Sequence, residues 1–367
     1  MLKMVDGTGI IGLDMVCPLG GAVSPPQPPN FDKIEMEGVG SLTLPNSLKA
    51  PLERVELIGN SVQGENPAPD NPQEIKSAGR FDEASRKYLL DVKVTGRNIL
   101  SDVGDTYNVF VPCLIKAGAK VTLITNGMES AGGNIKLIRE NKEIIWFPFD
   151  AGKTKTTKTI PVNIVGFINV LKPKDGLKYC LVIGDTDNYE PYTEQSVQIA
   201  LNEPLRGIGE YKDTITKDGV ARKIKQITVN EKSDLIFYTE SKNTLAYLVK
   251  VPDATQTNYT YSTVSDRFVK TQYIDSNDTN GVVTLFGKQI IFRVSKEIAN
   301  NIDALKEWLV DNNITFNYVL ESPITEPLPE SVQAQLSALH SENRVTHVFV
   351  DSGEVPCGIK LTYRKEK

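Results

Sequence analysis

Apolar residues recur at every second position in one stretch after another of this chain, and that spacing limits its fold more than any other feature. Leu90, Val92 and Val94 alternate with Asp91, Lys93 and Thr95. The pattern returns at Val121 and Leu123, at Leu177, Tyr179, Leu181 and Ile183, at Val197, Ile199 and Leu201, and at Ile359, Leu361 and Tyr363. A period of two sends successive side chains to opposite faces, so each stretch predicts a half-buried β-strand. Turn dipeptides fall between the runs: Asn126-Gly127, Gly132-Gly133, Asp175-Gly176 and Asn280-Gly281. Glycine and asparagine reach the left-handed backbone that tight turns need. Short strands with regular turns predict a mostly β fold. Its parts are an antiparallel β-sandwich of jelly-roll form, a second β-rich domain with one or two short helices, and an extended N-terminal arm.

The boundaries follow from shifts in period. Residues 1–84 read as an extended N-terminal arm or docking region. Ser24 to Pro29 is a stiff polyproline-like spacer, and Pro67, Pro69 and Pro72 end a short alternating run at Val55 and Leu57. Ile34 to Leu44 predicts a short strand pair around Gly38 and Gly40. Residues 85–201 read as the jelly-roll β-sandwich. Residues 202–325 read as the second β-rich domain, with a helix near 296–311. There Ile298, Ile302, Leu305 and Leu309 form one apolar stripe, with Ser295 placed to cap its start and Asn312-Asn313 to end it. Residues 326–367 read as a helix, marked by Val332, Leu336 and Leu339, and strands packing on the second domain.

Charge excludes some functions. With 41 basic and 46 acidic residues the formal charge is -5. A nucleic-acid binder needs a basic excess on one face, so no nucleic-acid partner is expected. No 18-residue apolar run is present, so no membrane partner is expected either. Asp6 and Asp14 break the apolar segment a secretory leader would need. Cys17, Cys113, Cys180 and Cys357 are scattered, which disfavours both a zinc site and a disulfide framework.

Candidate chemistry is sparse. Gly7-Thr8-Gly9-Ile10-Ile11-Gly12 matches G-x-G-x-x-G, with Asp32 further on. Pro18, Gly20, Gly21 and Pro25 oppose the helix that a dinucleotide site requires, so no cofactor is expected. His340 and His347 are the two histidines, and neither sits near a nucleophile elbow. Asp185, Asp187 and Glu190 form an acidic cluster without an EF-hand spacing. A solvated turn is the favoured reading there, with a looser calcium site as the alternative. Trp146, Phe147 and Phe149, or Tyr189 and Tyr192, could build a sugar platform if their rings are exposed. No catalytic, cofactor or metal residue emerges, and no enzyme is expected.

Four segments carry a resemblance. They are Gly59 to Pro72 (G-N-S-x-Q … P-x-P-x-N-P), Tyr189 to Asp213 (Y-E-P-Y … L-N-x-P-L-R-G-I-G-x-x-x-D), Trp308 to Thr325 and Leu328 to His340. In that order they resemble minor structural proteins of the tail and baseplate of phages and prophages of Gram-positive bacteria. The resemblance implies a virion tail component, or part of a phage-tail-like particle, assembled in the bacterial cytoplasm. It implies other tail or baseplate proteins as partners and a homo-oligomer in the particle. Such proteins are often built from jelly-roll modules related to carbohydrate-binding domains. A host-surface glycan is therefore a further partner, and a carbohydrate-binding adhesin is the alternative function. A glycan-degrading enzyme is the third. The run Ser233-Asp234-Leu235-Ile236-Phe237 departs from the tryptophan that relatives carry after a glycine-rich turn.

Overall fold

A computed structural model describes residues 2–4, 11–13, 31–43, 52–101, 108, 110–172, 174–255, 262–271, 278–339 and 347–366. The chain is mostly β, with about half of it in strands and two short helices. The organising element is a curled 12-stranded sheet. Its order is Glu194–Leu201, Lys87–Thr95, His347–Asp351, Ser41–Thr43, Phe31–Val39, Gly358–Glu366, Leu52–Ile58, Thr214–Thr216, Gly219–Val229, Ile314–Glu326 and Thr263–Ser265. Arg80–Asp82 pairs beside Lys87–Thr95. Strands from residues 31–58 and from 347–366 thus interleave in one sheet.

Two units are inserted into this sheet. The first leaves it at Thr95 and returns at Glu194, and these two strands pair directly, Thr95 opposite Glu194 through Tyr88 opposite Leu201. The second leaves at Val229 and returns at Ile314, which are themselves partners. Each insertion therefore hangs from an antiparallel strand pair. The apolar residues divide the same way. One cluster, with Leu57, Leu90, Val92, Ile199, Ile359 and Leu361, belongs to the central sheet. Another, with Ile115, Leu123, Ile135, Phe147, Phe167 and Leu181, fills the first insertion. The third, with Tyr247, Phe268, Phe292, Leu305, Leu309 and Phe316, fills the second.

The first insertion is an antiparallel β-sandwich. Phe110–Ile115, Ile164–Leu171, Gly133–Ile138 and Ile144–Phe149 form one sheet, and Lys155–Thr159, Lys120–Thr125 and Tyr179–Ile183 the other. The described residues supply seven strands, four facing three, where a jelly roll has eight.

Several boundaries move. Phe31–Val39 and Leu52–Ile58 flank Gly358–Glu366 on either side, and Val55 and Leu57 are buried in the central core. The described residues before 84 include the extended strands Phe31–Val39 and Leu52–Ile58, which pair within the chain. Before that, Leu2–Met4 and Ile11–Leu13 pair with each other. The strands at 87–95 and 194–201, placed by sequence in the sandwich, belong to the central sheet. So do the last two strands, and Leu328, Leu336 and Leu339 join the central core rather than the second unit. Alternation reports that a strand has a buried face; it does not say which core that face meets.

Local signals were more exact. Gly40 turns the chain from Phe31–Val39 into Ser41–Thr43 at a positive φ of 68°, where glycine carries no strain. The first helix, Ile302–Asp311, starts later than its apolar stripe suggests. Asn301, not Ser295, caps it by accepting from the Ala304 N–H at 2.9 Å, because Ser295 ends the strand Gln289–Ser295. Asn312 closes the helix as expected, its side-chain amide donating to the Trp308 carbonyl at 2.9 Å. The second helix, Glu330–Ala338, follows Pro329. Asn280-Gly281 does not make a hairpin, since Val269–Lys270 and Val282–Phe286 run parallel. Among the described residues no helix is long and apolar enough to cross a membrane.

Cys113, Cys180 and Cys357 are buried free thiols, and burial pushes them to about 12, 11 and 12. Reaction needs the thiolate, so at pH 8 iodoacetamide is expected to spare all three in the folded chain and to label them on unfolding. Mass spectrometry of the alkylated peptides checks this; labelling of Cys113 under native conditions would count against the packing described.

Candidate functional site

Two of the four resemblance segments meet. Gly59 donates its N–H to the Asp213 carbonyl at 2.7 Å, and a β-carbon on Gly59 would run into the Arg206 carbonyl. Gly207 N–H donates to the Ser61 hydroxyl at 3.1 Å. Ala78 and Leu205 exchange backbone hydrogen bonds at 3.1 and 2.7 Å. At the centre lies Asp213, fully buried. Its carboxylate accepts from the N–H groups of Lys223 at 2.7 Å, Ile224 at 3.0 Å and Arg206 at 3.0 Å, and from the Arg222 guanidinium at 3.4 Å. Burial pushes the carboxyl above the usual range, against the pull of those four donors. Arg222 also donates to the carbonyls of Pro204 at 2.7 Å and Glu203 at 3.0 Å. The polar residues of this motif are spent on the protein's own backbone.

The rest of the first segment reaches the second unit. Gln63 donates its amide to the Ser265 carbonyl at 2.5 Å, and Gln73 N–H to the Asp266 carbonyl at 2.7 Å. Arg267 donates to the carbonyls of Pro69 at 2.5 Å and Asn313 at 3.0 Å, and its guanidinium lies 5.5 Å from the Trp308 ring centroid. Here a third resemblance segment joins the first.

Most sequence candidates are placed in structural roles. Gly12 sits inside the strand Ile11–Leu13 rather than at a helix start, and the rest of that glycine motif lies outside the described residues save Ile11. His347 is buried within a strand of the central sheet, and burial pushes its imidazole down to about 4. His340 lies outside the described residues. The carboxylates of Asp185 and Asp187 are held by Lys155 at 3.1 and 2.6 Å, with Lys120 also on Asp185 at 3.1 Å, while Glu190 pairs with Arg97 at 2.9 Å. These carboxylates thus face ammonium and guanidinium groups of the chain itself. Tyr189 packs on Ile124, Cys180 and Val182, and the Tyr192 hydroxyl donates to Glu194.

The Trp146–Phe149 run is split by the strand period. Phe147 and Phe149 point into the sandwich core, and Trp146 stays 54 % exposed on the outer face. The register places Trp146, Lys136, Ile168 and Phe110 side by side across all four strands of that sheet. Ile144 and Ile138 lie in the row to one side, Pro148, Asn134 and Val170 in the row to the other. Phe110 is 45 % and Ile144 47 % exposed. Gly166 makes room for the Phe110 ring, since a β-carbon there would overlap it. With strands about 4.8 Å apart, the two rings stand about 14 Å from one another. The Lys136 ammonium lies 5.4 Å from the Trp146 ring centroid. At the end of the same sheet Arg139, Glu140, Asn141, Val162 and Asn163 line a polar recess of about 470 Å³. Exposed rings for stacking, with amide and charged groups beside them, are what a sugar surface requires. Sequence could nominate Trp146; nothing in it linked Phe110 or Lys136, which are neighbours only through register.

No family model matches the chain, and neither a curated protein nor a solved structure does.

Proposed function

We propose that this chain is a non-enzymatic structural component of a phage tail or phage-tail-like particle, in the baseplate or tail-fibre region. One observation carries the reading. Three of the segments that resemble tail proteins are framework: they bury polar groups against the chain's own backbone and tie the second inserted unit to the central sheet. Residues whose work is to hold strands together suit a part whose task is shape. In this reading the chain is a homo-oligomer among other tail proteins, with the sandwich facing outward. Particles purified from cells carrying the gene are expected to react with an antibody against the sandwich. Absence of the chain from particles, with the chain abundant in the cytoplasm, would remove the proposal.

A second reading, host attachment through a glycan, is favoured by the Trp146–Lys136–Ile168–Phe110 row. Trp146→Ala is expected to weaken cell-wall glycan binding by about tenfold or more, a stacking loss near 1.4 kcal/mol, while leaving the melting temperature unchanged. A glycan array run with both forms checks it. Equal binding by both would assign this face to protein contact instead. The same glycans incubated with the chain are expected to release no reducing ends.

A further inference from the structure

A separate cleft of about 360 Å³ opens on the central sheet where the first two resemblance segments reach it. Its origin is a missing side chain. The register sets Val39, Gly358 and Ile58 in one row across three strands. Gly358 leaves a gap between the two aliphatic side chains, and a β-carbon there would meet the Ile58 β-carbon at 3.0 Å. Pro356 and Asn60 complete the walls, and Val39 stands 57 % exposed at the rim.

One ammonium enters this apolar trough. Lys212 crosses Gly207, so that a β-carbon on Gly207 would lie 2.7 Å from its Nζ. Its sole hydrogen-bond partner among the described residues is the Asn60 side-chain oxygen, at a long 3.5 Å. No carboxylate pairs with it among those residues, and partial burial lowers its pKa with no charge acting against that trend. Lysines usually carry their ammonium out to water or onto an acid. Glu37, which also lines the cleft, is drawn toward Lys360, 3.7 Å away.

We propose that this cleft binds a short aliphatic carboxylate, its charge on the Lys212 Nζ and its chain against Val39, Ile58 and Pro356. The walls select an aliphatic body, and the volume lies at the small end of ligand sites. The charge count selects a monoanion. A phosphate dianion would face Glu37 with a single cation to balance it, whereas one carboxylate is matched by one ammonium. Two sources present this chemistry: a free acid, or the apolar C-terminal residue of a neighbouring polypeptide. The cleft is formed whether or not the chain belongs to a tail particle.

The test uses the full chain labelled with ¹³C at its lysine ε-carbons. The Lys212 signal is the one missing from Lys212→Met. Hexanoate and an acetylated Gly-Gly-Leu peptide with a free C-terminus are titrated in, with hexanol and the peptide amide as neutral controls. The Lys212 signal is expected to shift saturably with at least one acid and with neither control. Lys212→Met is expected to lower that acid's affinity about tenfold, and Lys212→Arg to retain most of it. The tighter of the two acids identifies the source. Equal response to acids and controls, no saturable shift with either acid, or unchanged affinity in Lys212→Met would overturn the proposal. The acid-against-control comparison is made on the unmodified chain, so it holds even if a variant fails to fold.

Discussion

Asp213→Ala is expected to lower the free energy of unfolding by about 3 to 5 kcal/mol, the cost of leaving three buried backbone donors without an acceptor. The carboxylate gathers three backbone N–H groups from two separate parts of the chain and the buried Arg222 guanidinium. Alanine leaves the three backbone donors facing a void, while Arg222 keeps the Pro204 and Glu203 carbonyls and the Glu326 carboxylate. None can turn to water, because Asp213 is wholly enclosed and Arg222 nearly so. Asp213→Asn is expected to be little better, since its NH₂ would point at one of these donors. The contrast is Lys93→Ala, which breaks the exposed pair with Glu194 at 3.0 Å and should cost less than about 1 kcal/mol. Denaturant midpoints for the variants decide it. A loss below about 1 kcal/mol for Asp213→Ala would mean the network is ornamental to the fold.

The second large effect is in acid. The His347 ring is neutral and buried, with its pKa at about 4 against an ordinary 6.5. Below pH 6.5 the unfolded chain takes up a proton on this ring, and the folded chain takes none until about 4. Unfolding therefore binds protons throughout that window, and stability falls as the pH is lowered through it. The difference in pKa amounts to about 3 kcal/mol lost by pH 4. His347→Phe keeps an apolar ring in the strand and removes the proton uptake. The stability gap between the two proteins is expected to shift in favour of the variant between pH 7 and pH 4. Urea titrations at several pH values measure it, and parallel curves would show that the ring is not held neutral by burial. Carboxylates titrate in the same range in both proteins, so the difference isolates the histidine.

How far the fold was legible depended on the kind of signal. Period-two alternation at 90–94, 179–183 and 197–201 marked true strands, and Gly40 and Asn312 marked true ends, because each rests on local backbone chemistry. Assignment of strands to cores was not legible. Leu90 and Leu123 lie on strands of the same pattern, yet one packs under the central sheet and the other inside the sandwich. That choice is made by partners more than 100 residues away, such as Val94 opposite Val348. The first segment reads from sequence as an extended arm or docking region for the same reason. Val55 and Leu57 are few, but they complete a face supplied by Ile359 and Leu361. At the candidate surfaces, Trp146 could be singled out as an aromatic, while the Lys212 cleft exists only because Gly358 comes between Val39 and Ile58.

The central claim is that the strands at 31–58 are built into the core and that the segments at 59–78 and 203–213 lock it. Amide hydrogen exchange tests this most directly. Amides of Val55, Leu57, Arg206, Lys223 and Ile224 are expected to exchange only with global unfolding, as slowly as those of Val92 and Ile199, and deletion of residues 1–58 should abolish the folded state. Fast exchange at 52–58, together with a stable chain after that deletion, would contradict the account and return this stretch to a detachable arm.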